Sequence, residues 1–241
     1  MVRGDSQVSE VLLSLDGVSR VFGDEVKVHA LRDVSLDIRA GDFLSIVGPS
    51  GSGKSTLLGL LGVLDLPSSG VVRIRGTDMA DLGDAERSRM RGGAIGFVFQ
   101  QFHLIPHLTA VGNVETALLY RGLTAGKRHR RALDALEQVG LSSRSGHIPV
   151  QLSGGEQQRV AIARAIVTDP LMVLADEPTG ALDSQNASNV MEIFADLQSP
   201  ERAICVVTHD LGVAARTQRR ITMLDGNIVA DEHQDIDEGV R

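Results

Sequence analysis

The chain has 241 residues, 24 Lys and Arg against 31 Asp and Glu, a formal net charge of −7, and 42% hydrophobic and 23% charged residues. That balance allows a sizeable core and excludes wholesale disorder. The acidic excess argues against a general nucleic-acid binder but leaves room for a local anion pocket. At about 150 residues per domain, the length means one large domain or two small ones. The single cysteine, Cys205, cannot form an internal disulfide, which fits a reducing compartment. No run reaches the roughly 18 apolar residues of a membrane-spanning helix, and MVRGDSQ lacks the apolar stretch of a secretory leader. The expectation is a cytoplasmic location.

In chain order, Phe43–Val47 reads as a buried strand, followed by a Gly-rich turn and an apolar helical stretch, Thr56 to Leu64. Val71 to Arg75 alternates with period two, and Ala94 to Phe99 is another strand candidate. Helices are expected over Val114 to Arg121, Lys127 to Val139, Glu156 to Val167 and Ala187 to Leu197; in the last, Val190, Ile193, Phe194 and Leu197 share a face. Leu171 to Ala175 is a continuous apolar run that stops at two acids, and Ile204 to Thr208 one that stops at a histidine. Ile221 to Leu224, Asp225-Gly226 and Ile228-Val229 read as a hairpin, because Asp-Gly is a strong turn signal. Apolar strands interleaved with helices imply an α/β fold with a mainly parallel sheet. Gln101 to Leu152 offers no convincing strand and reads as an inserted helical subdomain. The acidic end, Asp231 to Glu238, reads as a solvated tail.

Residues 48 to 56 read Gly48-Pro49-Ser50-Gly51-Ser52-Gly53-Lys54-Ser55-Thr56, a G-x-x-x-x-G-K-S loop between a strand and a helix. The glycines let successive backbone N–H groups turn inward toward phosphate oxygens, and the helix adds the positive end of its dipole. Lys54 is expected to reach the β- and γ-phosphates of a nucleotide and Ser55 to ligate Mg²⁺. The bland alternative is a chance Gly/Ser-rich loop. The strand ending in Asp176-Glu177 has the form that holds Mg²⁺ beside such a loop. Glu177, one residue on, is placed to activate water as a general base. An acidic turn capping a strand is the alternative.

Leu152-Ser153-Gly154-Gly155-Glu156-Gln157-Gln158-Arg159-Val160 leaves one local option, with Ser153 merely capping the next helix. The whole string resembles the signature of the nucleotide-binding subunits of ABC transporters, and the resemblance covers nearly the whole chain in order and spacing. It implies a P-loop NTPase with a RecA-like core, an N-terminal antiparallel β subdomain and an inserted helical subdomain. The expected division is 10–100 and 158–230 as the α/β core, 101–157 as the helical subdomain and 231–241 as the tail. The resemblance also implies roles. Phe22 stacks on adenine, where the family more often has Tyr. Gln100 matches the Q-loop glutamine, which touches Mg²⁺ or water. Asp183, in Ala181-Leu182-Asp183, lies in the D-loop at a dimer interface, and His209 contacts the γ-phosphate. Gly48, Ser50, Gly51, Ser52, Gly53, Lys54, Ser55 and Thr56 of one copy, with Ser153, Gly154, Gly155 and Gln157 of the other, enclose ATP. With one loop and one signature per chain, a complete site takes two copies related by a two-fold axis.

Phe97 to Thr109, Asn113-Val114-Glu115 with Leu118 to Gly122, and Val28 to Leu36 resemble the subgroup of lipoprotein-release, macrolide-export and cell-division ATPases. That implies a permease with four transmembrane helices, contacted around Gln100 to Arg121, and a place at the cytoplasmic face of the cell membrane. The substrate lies with the permease and is not readable here. Rival classes fare worse. A GTPase needs Asn-Lys-x-Asp, which is absent. Repair ATPases insert coiled coils, but the roughly 100 residues between loop and signature lack heptads. Translation ATPases carry two cassettes, and a non-catalytic cassette has no need of Lys54, Asp176, Glu177 and His209 together.

Overall fold

The computed structural model describes residues 9–23 and 26–234. The chain begins with strands β1 (Val11–Phe22), β2 (Val28–Arg39) and β3 (Phe43–Val47), then helix α1 (Lys54–Leu61), β4 (Ser69–Ile74) and β5 (Thr77–Asp78). Next come α2 (Asp84–Ala94), β6 (Ile95–Phe99), α3 (Ala110–Glu115), α4 (Ala125–Gln138) and α5 (Gly154–Ile166). The last third holds β7 (Met172–Asp176), α6 (Ser184–Leu197), β8 (Ala203–Val207), the short α7 (Leu211–Ala214), β9 (Arg219–Leu224) and β10 (Asn227–His233).

Two sheets result. One is antiparallel, ordered β2-β1-β4-β5; the other is ordered β10-β9-β3-β8-β7-β6 and is parallel except for β10. The α/β expectation holds. All residues of β3 and β8 are buried, as they must be when both faces are covered. Successive side chains of β8 alternate between cores. Cys205 and Val207 join the cluster under the antiparallel sheet and α1, while Ile204 and Val206 join the cluster under α3 to α6.

The expected strands and the hairpin are all found, within a residue or two except at β10, which runs four residues past Val229. At the hairpin, Asp225 (φ 47°) and Gly226 (φ 80°) both take left-handed backbone, the geometry of a tight two-residue turn. One helix is displaced. The expected Val114 to Arg121 helix is α3, four residues earlier, followed by a 3₁₀ turn at Thr116–Leu118. Thr109 accepts a hydrogen bond from Gly112 N and starts the helix there, and the Thr116 hydroxyl donates back to Asn113 O at 2.6 Å where it tightens. The expected solvated tail also needs correction. Asp231 to His233 belong to β10, and Asp231 accepts from Nε and Nη2 of Arg219, which also pairs with Asp42. The Arg219 guanidinium holds the Asp231 carboxyl below its usual range. Residues 235–241 lie outside the described residues.

The stretch after β6 is organised by a buried amide. Asn113 is fully buried; its Nδ2 donates to the carbonyls of Ile105, Leu108 and Thr109, and its Oδ1 accepts from Ile105 N at 2.7 Å. Asn113→Ala strands these backbone groups, at a cost of about 3 kcal/mol. Denaturant unfolding should show the midpoint falling accordingly, with an unchanged midpoint as the contrary result.

Candidate functional site

The order of the parallel strands decides which side chains meet. Neighbouring strands β3, β8, β7 and β6 end, at the same edge, in the Gly48–Thr56 loop, His209, Asp176-Glu177 and Gln100 respectively. Backbone bonds pin these ends together: Glu177 N donates to Val207 O at 2.8 Å and Thr208 N to Ile46 O at 3.1 Å. Phe99 lies in register with Asp176, and Asp176 with Val207. Such an edge is where open α/β sheets bind ligands.

The loop is shaped for an anion. A Cβ on Gly48 would collide with the Met223 carbonyl, and Gly53 takes φ 101°, so neither tolerates a side chain. A Cβ on Gly51, by contrast, would meet nothing within 4 Å, which leaves the mouth of the cradle open. Helix α1 has no side-chain cap and no acid in its first turn, whereas α3, α5 and α6 are capped by Thr109, Ser153 and Asp183. Its free N–H groups face the loop. Lys54 Nζ donates to Gly48 O and Pro49 O at 2.8 and 2.9 Å, leaving one of its three protons free. The Ser52 hydroxyl is buried without a partner. Ser55 is exposed and Thr56 half-buried in the first turn of α1, and Ser50 is exposed on the loop. An orphan hydroxyl, an uncapped helix and a free ammonium proton fit a phosphate chain.

Beside the loop, Glu177 takes left-handed backbone (φ 44°) ahead of Pro178, a strained position of the kind found at functional sites. Its carboxylate accepts from Thr208 Oγ1 (3.1 Å), His209 N (3.0 Å) and His209 Nδ1 (2.7 Å). The hydrogen bond to Glu177, then its charge, raises the pKa of the exposed His209 imidazole. Burial, then the Glu177 charge, raises the Asp176 carboxyl, with Lys54 opposing. A bound cation would offset both effects. Ser55, Asp176 and Gln100 offer hard oxygen donors, and no cluster of three His, Cys, Asp or Glu exists among the described residues. Few protein oxygens and no soft ligands suit Mg²⁺, which keeps waters and substrate phosphates. The Gln100 side chain packs on Gly180, whose Cβ would fall 2.7 Å from Nε2.

The expected residues thus divide into two groups. The loop, Asp176, Glu177, His209 and Gln100 converge on one strand edge. Phe22 stands at the end of β1, partly exposed, with the Arg20 guanidinium 4.6 Å over its ring and Arg20 paired to Asp65 at 2.6 Å. Ser153 to Gln157 lie on other neighbours. Gly154 packs on Leu182, and Gly155 abuts Asn186 so closely that a Cβ would clash. Ser153 does cap α5: Oγ accepts from Glu156 N, and Glu156 accepts in return from Ser153 N at 2.8 Å. That bond leads the causes that lower the Glu156 pKa. Asp183 caps α6 through Asn186 N and holds the Asn186 side chain, and Gln157 Nε2 donates to Leu152 O.

Three positioning side chains went unnoticed in the sequence. Thr208 seats Glu177. Gln158, fully buried, donates to Pro178 O at 2.7 Å and ties the Ser153 helix to the acidic turn. Arg164 donates to the carbonyls of Phe102 and His103 at 2.7 and 2.6 Å, residues that share left-handed backbone. An arginine on the apolar side of a helical repeat was the only available signal for the last.

These features define a P-loop NTPase. Residues 31–180 match the family described as ABC transporter. The chain is 50% identical over 221 residues to the macrolide export ATP-binding/permease protein MacB 1/2 of Paracoccus denitrificans, covering 91% of this chain and 33% of that protein. It is 49% identical over 226 residues to the pyoverdine export ATP-binding/permease protein PvdT of Pseudomonas entomophila, covering 93% and 35%. The chain therefore spans about a third of the length of these curated relatives. Its fold superposes with a TM-score of 0.83, at 44% identity, on the ATP-binding cassette MJ0796 in a dimeric post-hydrolysis state bound to ADP and Pi, covering 92% of this chain and 98% of that one. The chain belongs to the ABC transporter family, as an ATP-binding cassette.

With its folded pKa raised, the His209–Glu177 pair stabilises the protein fully below the ordinary imidazole pKa and ceases to as pH climbs through the raised value. In the nucleotide-free protein, NMR titration of His209 should give a midpoint above that of a free histidine, and Glu177→Gln should lower it. Equal midpoints in the two proteins would contradict the pairing.

Proposed function

We propose that this cassette hydrolyses ATP as one half of a head-to-tail dimer and drives a membrane permease in export or release. The observation that carries the reading is the convergence of the anion loop, Asp176-Glu177, His209 and Gln100 on one strand edge, while Ser153 to Gly155 pack on the 182–186 segment. The loop of one copy and the Ser153 turn of a second enclose one ATP, with Asp183 at the border between copies. Phe22, steadied by Arg20, offers its free face to adenine.

Lys54 and the N–H groups of the loop hold the phosphates. Ser55, Asp176 and Gln100 would hold Mg²⁺, which would supply positive charge to offset the negative charge that develops on the phosphates. Glu177 takes a proton from the attacking water, and His209 stabilises the charge that grows on the γ-phosphate. Loss of that phosphate removes the bridge between copies, and they part.

The division into an α/β core (10–100 and 158–230) and a helical subdomain (101–157) supplies the moving part. The permease, of the four-helix type, docks around Gln100 to Arg121, on the cytoplasmic face of the membrane. A cleft of about 420 Å³ supports this place; Phe97, Phe99, His103, Thr116, Ala117 and Arg164 line it. Arg164, through its hold on Phe102 and His103, relays movement there to Gln100. The likeness to the macrolide export protein MacB 1/2 favours export.

Glu177→Gln should lower steady-state ATPase by about 10²-fold or more while ATP still assembles the dimer in size-exclusion chromatography. Normal turnover in that variant would overturn the assignment of the base.

A further inference from the structure

The acidic chain carries one dense run of positive charge, Lys127-Arg128-His129-Arg130-Arg131, in the first turns of α4. Two of the five are engaged: Arg128 donates to Leu123 O at 2.9 Å, and His129 pairs with Glu115 at 2.6 Å. Lys127, Arg130 and Arg131 are exposed and, among the described residues, belong to no ion pair. Spaced i, i+3 and i+4, they share one face, while Ala132, Ala135 and Leu136 fill the buried one. The helix has no acid in its first turn and no side-chain cap. Cations here oppose the helix dipole, so this placement weakens the helix, and among the described residues no ion pair to Lys127, Arg130 or Arg131 offsets it. In the segment between the 3₁₀ turn and α4, Leu119 is 53% and Tyr120 97% exposed.

Free cations on one helix face, with an exposed aromatic ring in the segment that leads into that helix, match the interface of a membrane, where anionic headgroups meet the first apolar layer. A nucleic acid fits less well: Tyr120 is the chain's one tyrosine and there is no tryptophan, so no series of rings exists for stacking bases. We propose that Lys127, Arg130 and Arg131, with Tyr120, form a docking surface for anionic lipid headgroups. The patch follows the Gln100 to Arg121 segment directly, so for its orientation the inference rests on the permease-facing reading above. Lipid contact there would hold the helical subdomain against the bilayer at the border of the permease.

The test uses the 241-residue chain with vesicles of phosphatidylcholine alone or mixed with phosphatidylglycerol. Co-sedimentation should show binding to the mixed vesicles tighter by about tenfold or more, weakening as salt rises. Tyr120 is the only strong intrinsic fluorophore, so acrylamide quenching reports on this site alone; it should fall when mixed vesicles are added. The triple variant Lys127→Gln, Arg130→Gln, Arg131→Gln should lose the preference, keep its ATPase and melt no lower, since the dipole conflict is relieved. Equal binding to both vesicles, a variant that still prefers the mixed ones, unchanged quenching, or retention on RNA in place of vesicles would each overturn the proposal. ATPase, read separately, judges the cassette assignment.

Discussion

Everything at the site depends on the attraction between a chain of phosphates and a helix start with nothing of its own to satisfy it. Helix α1 lacks the side-chain cap that Thr109, Ser153 and Asp183 give to other helices. Its N–H groups and the Lys54 ammonium stay available because the loop keeps both in place. That arrangement is held by close packing, since Gly48 lies against the Met223 carbonyl with no space for a side chain. The hairpin that carries Met223 is anchored in turn by Arg219 with Asp42 and Asp231. A polar network far from the loop therefore helps set the shape of the anion cradle.

A parallel sheet does the rest. Because β3, β8, β7 and β6 run the same way, their loops emerge together. A carboxylate, an imidazole and an amide distant in sequence become neighbours without any of them folding locally toward another. Gln158 and Arg164 extend the same logic along α5: one grips the acidic turn, the other the residues after Gln100. A single helix thus touches both sides of the chemistry, and it begins at Ser153. Movement of a second copy's nucleotide against Ser153 would reach Glu177 and the segment after Gln100 through one rigid element.

Much of this was legible in the sequence where periodicity or a motif was strong. The buried strands announced themselves as continuous apolar runs, and Asp225-Gly226 marked its hairpin. β1 and β2 did not, because register shifts around Gly17 and Asp33 break the alternation that a strand search relies on. Helix α2 was missed for a different reason. Only Ala94 in it is buried, and it is attached mainly by arginines, with Arg87 donating to Leu82 O and Arg91 to Val63 O. Such contacts leave no apolar stripe. The site residues were named by motif, but the motif was silent on Thr208, Gln158 and Arg164, whose roles exist only once distant segments meet. The cap at Ser153 was legible from a serine heading a helical stretch, but nothing in the motif showed that Asp183 caps α6.

The central claim is that a complete site is shared between two copies, and the most direct measurement is complementation. Lys54→Ala removes the ammonium from one half-site, and Ser153→Arg blocks the other half. Each variant alone spoils both sites of its own dimer, whereas a mixed dimer contains one site with both halves intact. The account predicts that ATPase of the mixture clearly exceeds the sum of the two variants measured alone. Activity no more than additive, or a Ser153→Arg protein as active as the parent, would contradict it.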